Sequence, residues 1–96
     1  MSAAALIANH MNAPYGKVVS EEDVAASFRN GRLSASSLEA NGILAFFFNE
    51  IEPSLIIRCA RELGVSLQTA NALYKDTLAR GCCASPSWED AVGACA

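Results

Sequence analysis

Histidine is almost missing from this chain and charge is sparse. One histidine, His10, stands among 96 residues, and Asp, Glu, Lys and Arg together make up 18%. No carboxylate or nucleophile sits beside His10 in the sequence, so the usual acid–base and nucleophilic constellations lack their base. The four cysteines, Cys59, Cys82, Cys83 and Cys95, fit no metal-ligand spacing, and a mixed zinc site would need His10 to fold back across the chain. No glycine-rich phosphate loop occurs. The acidic run Glu21-Glu22-Asp23 suits a helix start better than a paired-carboxylate site. These absences predict a protein that is not an enzyme and needs no metal or cofactor.

Long apolar runs are missing too. Nothing reaches the roughly 18 consecutive apolar residues of a membrane span. The opening Met1–His10 stretch has no basic residue and makes a poor secretory signal. Cys59 falls in an apolar helical setting and reads as core. Adjacent Cys82 and Cys83 cannot easily bond each other, although one of them could pair with Cys95. Reduced thiols in a cytoplasm are the plain expectation.

Hydrophobic residues, by contrast, are 52% of the chain. That is enough for one small domain, and high enough to suggest that some apolar surface is covered by a second copy of the chain. No useful strand alternation and no internal repeat is found. The periodicity predicts an all-α bundle of four or five helices, with residues 1–16 as a loose arm or a short helix and residues 17–96 as a single helical domain.

Start and stop signals place the elements. Ser20 and Asp23 form a capping-box pair flanked by Val19 and Val24 as a hydrophobic staple, and Gly31 ends the helix. Ser36 and Glu39 repeat the pattern before an apolar helix from Ser37 to Ile51. Its Leu38, Ile43, Leu44, Phe46, Phe47, Phe48 and Ile51 cover more than one face, as in a core helix or a dimer seam. Pro53 suits the first position of the next helix, with Leu55, Ile56, Cys59, Ala60 and Leu63 inward. A final short helix is expected with Ser87 and Asp90 as its capping pair and Trp88 and Val92 packed back onto the bundle.

Residues 54–80 organise the rest. Ala60 is small enough for a second helix to cross closely. Gly64 can take the positive φ that turns the chain, Val65 plugs the angle, and Ser66 caps the next helix. Ala70 and Leu73 then face the core, leaving Leu67, Gln68, Asn71, Ala72 and Lys75 outward. This is the pattern of a helix-turn-helix. Charge follows it. Residues 53–84 hold four basic side chains (Arg58, Arg61, Lys75, Arg80) against Glu62 and Asp76, whereas residues 1–52 hold three basic and six acidic ones.

The run Gly64-Val65-Ser66-Leu67-Gln68-Thr69 resembles the turn and recognition-helix start of the lac repressor family, over about twenty residues. The resemblance implies docking in a major groove, with Leu67 and Gln68 at base edges and Ser66 and Thr69 near phosphates. It does not extend to a sugar-binding domain. By residue type, Gln68 and Asn71 are candidates for bidentate contacts to adenine, Leu67 for a thymine methyl, and Lys75 and Arg80 for phosphates.

The expectation is a sequence-specific regulator of double-stranded DNA, of the kind phages, plasmids or bacteria encode, acting as a homodimer. A competing expectation is a helical interaction module that docks a protein partner through its acidic N-terminal half and the Phe46–Phe48 surface.

Overall fold

The computed structural model describes residues 1–13, 16, 19–34, 44–45 and 47–95, the side chain of Cys95 apart. Among the described residues the chain is all-helical, without a strand. It contains α1 (Ala3–Asn12), α2 (Glu21–Asn30), α3 (Phe47–Glu50), α4 (Pro53–Glu62), α5 (Leu67–Ala79) and α6 (Pro86–Cys95).

Of the two forms open to the first residues, the helix is found. Ser2 caps α1 by accepting the Ala5 N–H at 3.1 Å, and alanines carry the helix onward. Ala3, Ala4, Ile7, Ala8 and Met11 form a buried stripe, and their small side chains let α1 lie against both α2 and α4. One link to α4 is polar. Glu62 accepts the Ala3 N–H at 2.8 Å and pairs with Arg58 at 2.8 Å, while Arg58 also donates to the Met1 carbonyl at 3.2 Å. An N–H left without an intrahelical partner at the start of α1 is thus satisfied.

The Ala3 N–H, followed by the Arg58 guanidinium, holds the Glu62 carboxyl below its ordinary pKa. In acid the unfolded carboxyl therefore takes up its proton first, and each proton so bound favours unfolding until the folded carboxyl protonates as well. The stabilisation is present above the ordinary glutamate range, about 4.3, and is lost as pH falls through the lower folded value. A melting-temperature series against pH checks this. The gap between the wild type and Glu62→Gln is expected to be full at neutral pH and to close in acid, and a pH-independent gap would contradict it.

The predicted box at the start of α2 is complete. Ser20 Oγ accepts the Asp23 N–H at 3.0 Å, and Asp23 accepts the Ser20 N–H at 3.2 Å. Gly31 ends α2 at φ +66°. Of the apolar helix expected from Ser37 to Ile51, only the last part lies within the described residues, and Ser36, Leu38, Glu39, Ile43 and Phe46 lie outside them. The described part is core. Leu44, Ala45, Phe47, Phe48 and Ile51 are all buried within the single chain.

Aromatic rings connect the layers. Phe28 meets Phe47 at 5.7 Å, Phe47 stacks on Phe48 at 4.4 Å, and Phe48 meets Tyr74 at 5.2 Å and Trp88 at 5.0 Å.

The start of α6 corrects the expected Ser87–Asp90 cap. Pro86 is the first helical residue and Ser85 the cap. The Ser85 carbonyl accepts the Glu89 N–H at 3.1 Å and its Oγ accepts the Trp88 N–H at 3.4 Å. Proline fits the first helical position because it has no N–H to waste there. Ser85 is also buried, donating from Oγ to the Phe48 carbonyl at 2.8 Å and from its N–H to the Tyr74 hydroxyl at 2.7 Å. A serine two residues further on could make none of these bonds. Trp88 is fully buried, and Val92 packs half-buried against the core.

Candidate nucleic-acid interface

The corner between α4 and α5 is built as its residues require. The Leu63 N–H bonds back to Cys59, Gly64 to the Arg61 carbonyl at 3.1 Å, and Val65 to the Ala60 carbonyl at 2.8 Å. This is a glycine-terminated helix end, with Gly64 at φ +69°. A methyl on Gly64 would touch nothing, so the backbone conformation alone selects glycine there. Ser66 Oγ then accepts the Thr69 N–H at 3.1 Å and shares a 2.9 Å hydrogen bond with the Thr69 hydroxyl.

Along α5, the buried residues are Ala70, Leu73, Tyr74 and Thr77. The exposed ones are Gln68, Ala72, Lys75 and Ala79. At 3.6 residues per turn these four fall within about 60° of the circumference, a single narrow stripe.

Two residues expected on that face are not there. Leu67 is half-buried and packs against the core, lining a groove of about 160 Å³ with Ile57, Ala60, Arg61 and Val65. An apolar side chain gains by turning into such an angle rather than facing water. Asn71 is also half-buried, and its Oδ1 accepts the Trp88 indole N–H at 3.1 Å. A bidentate adenine contact needs both the oxygen and the nitrogen of the amide, so Asn71 cannot supply one while α6 is docked. Of the two foreseen adenine readers, Gln68 alone is presented.

The flanks of the stripe differ. On one side α6 is held by the Trp88–Asn71 bond and by the Tyr74 hydroxyl, which donates to the Glu89 carboxylate. On the other side the turn after α2 lies against α5. A methyl in place of a Gly31 hydrogen would stand 3.4 Å from both Ala72 Cβ and the Thr69 carbonyl oxygen, and the Leu33 N–H donates to Asp76 at 2.9 Å. Arg32, exposed, sits between these two contacts. No local pattern points to it, because 36 residues of chain separate Arg32 from Gln68.

The positive charge is partly spent. Arg80 pairs with Asp76 at 3.1 Å and Arg58 with Glu62 at 2.8 Å. Arg32, Arg61 and Lys75 form no ion pair among the described residues. Arg80, named above for a phosphate, is thus half-committed, whereas Lys75 keeps its full charge on the stripe. The hydroxyls of Ser66 and Thr69 bond each other as a cap.

No cluster of three or more potential metal ligands exists among the described residues, and no described helix is long and apolar enough to cross a membrane. Cys59, Cys82 and Cys83 are unbonded. Burial, followed by the nearby Glu62, pushes the Cys59 thiol up to about 12, and burial followed by Cys83 raises that of Cys82. The thiolate is the reacting form. A disulfide reagent at neutral pH is therefore expected to label exposed Cys83 first, Cys82 more slowly, and Cys59 only after unfolding. Mass mapping of the labelled peptides reads the order, and early labelling of Cys59 would contradict it.

The chain matches no protein-family model, no curated protein sequence and no solved structure.

Proposed function

We propose that this protein is a small sequence-specific regulator that binds double-stranded DNA in the cytoplasm, with α4 and α5 working as a helix-turn-helix and α5 lying in the major groove. The observation that carries the reading is the solvent stripe Gln68-Ala72-Lys75-Ala79 behind a Ser66-capped helix start. A glutamine can bond adenine with two contacts, an alanine methyl can meet a thymine methyl, and a lysine can hold a phosphate. Two small alanines on the stripe also let the helix backbone approach the base edges closely.

Duplex rather than single-stranded nucleic acid is the partner that fits. Binding to single strands relies on exposed aromatic rings, and the aromatic rings among the described residues, Phe28, Phe47, Phe48, Tyr74 and Trp88, are all buried. One stripe with one bidentate reader makes few base contacts, so two copies on a palindromic site are part of the proposal.

The competing reading, a protein-docking module, keeps exposed Glu21 and Glu22 of its acidic half, while two phenylalanines of its expected surface turn inward and Phe46 lies outside the described residues. Phe47 and Phe48 are buried in the core, and the sole large hydrophobic residue exposed among the described residues is Met1. What favours that reading is the apolar groove of Ile57, Ala60, Val65 and Leu67. Salt separates the two. Binding of a labelled duplex should weaken steeply as salt rises, because counterions return to the DNA, whereas an apolar protein contact should be nearly indifferent. Salt-insensitive capture of a partner, with no duplex binding at low salt, would replace the DNA reading by the docking one.

A further inference from the structure

We propose, resting on the DNA reading above, that the turn after α2 is a second arm of the same interface, in which Arg32 takes a backbone phosphate of the duplex alongside α5. Three observations place it. Gly31 abuts α5 at Thr69 and Ala72, an added methyl there coming into contact with both at 3.4 Å, and its φ of +66° favours glycine. The Leu33 N–H is fixed to Asp76 at 2.9 Å, one helical turn further along α5. Arg32, the residue between, is exposed and forms no ion pair among the described residues.

The turn therefore runs parallel to the Gln68–Lys75 stripe with a free guanidinium at its crest. A helix lying in a major groove has a phosphate rail on either side, and a guanidinium suits phosphate through its two-pronged geometry. Asp76, the acid that bonds the arm among the described residues, does not oppose the contact. The Asp76 carboxylate is already engaged by the Leu33 N–H and by Arg80.

The arm also gives polarity to the interface. Lys75 and Arg32 would hold the duplex near the middle of α5, leaving Gln68 to reach bases from the amino-terminal end. Phosphate contacts of this kind set register without reading sequence.

The test is a salt series of duplex affinity, measured by fluorescence anisotropy with a pool of mixed-sequence labelled duplexes. For Arg32→Gln the slope of log affinity against log salt should fall by about one relative to wild type, with weakening that is uniform across sequences. Arg32→Lys should restore most of the slope. Arg29→Gln serves as a control for net charge. Arg29 lies three residues earlier, within α2, and pairs with Glu22 at 3.7 Å, so its slope should stay at the wild-type value.

An Arg32→Gln slope equal to wild type, or a loss shared equally by Arg29→Gln, overturns the second arm while leaving the DNA reading standing. A wild-type protein without salt-dependent duplex binding overturns both. The Arg32 N–H donates to the Ser27 carbonyl at 3.3 Å, but its side chain makes no bond among the described residues, so replacing the side chain should leave folding unchanged, and a thermal melt of each variant verifies that.

Discussion

Truncating Trp88 to alanine is expected to cost about 3–5 kcal/mol of folding stability, a large share of the roughly 5–15 kcal/mol that holds a domain of this size. The indole is fully buried, 5.0 Å from the Phe48 ring and 6.5 Å from Tyr74. It is the largest side chain in the core, and its N–H is the donor that satisfies Asn71. Its removal leaves a cavity and an amide oxygen without its partner. It also strips α6 of its apolar anchor, leaving the Tyr74–Glu89 hydrogen bond and the Ser85 bonds to Phe48 and Tyr74 to hold it. Trp88→Phe keeps a ring and should lose markedly less. Urea denaturation followed by circular dichroism reads both variants. A loss below about 1 kcal/mol for the alanine variant would mean that α6 merely lies on the bundle.

The second large effect separates two residues that look alike in the sequence. Replacing Gln68 by alanine is expected to leave stability nearly unchanged, since the side chain is exposed, and to cost about 1–3 kcal/mol of discrimination at one base pair of each half-site. Replacing Asn71 by alanine should do the reverse. It leaves the buried indole N–H of Trp88 unpaired, which costs about 1–3 kcal/mol of stability, while the base preference stays as in the wild type. Measuring unfolding free energy and relative affinity for matched and mismatched duplexes on both variants gives a two-by-two outcome. Both residues altering preference to the same degree would mean that α6 undocks on DNA. Neither altering it would remove Gln68 from the reading role.

Much of the fold was legible because it rests on local chemistry. The Ser20–Asp23 box, the positive-φ stops at Gly31 and Gly64, proline at the first position of α4 and the serine cap of α5 are each settled within four or five residues. Other features rested on contacts between distant positions. Alanine is a good helix former with a weak hydrophobic signal, so the buried Ala3-Ala4-Ile7-Ala8-Met11 stripe did not stand out beside Pro14 and Gly16. Ser85 and Ser87 both offered a capping hydroxyl, and what chose between them was the burial of Ser85 against Phe48 and Tyr74.

The candidate site was half legible for the same reason. Helical spacing put Gln68, Asn71, Ala72 and Lys75 on one side of α5, but periodicity cannot say which edge of a polar face a later helix will cover. Trp88, 17 residues on, covers Asn71. Leu67 obeyed its own hydrophobicity and turned into the α4–α5 angle. Arg32 came to the site through the packing of Gly31 and Leu33, neither of which carries any chemical signal of DNA contact. Gly64 and Ser66 marked the corner through their own backbone and capping chemistry, and the tertiary neighbours determine which of its side chains are presented.

The central claim is that the exposed stripe of α5 reads base sequence in a duplex. Selection of bound molecules from a random duplex pool by the intact protein tests it most directly. The account predicts enrichment of a palindromic site with an A·T pair fixed at one position in each half, and loss of that one preference for Gln68→Ala. A pool that returns unenriched, with affinity the same for every sequence, would contradict it.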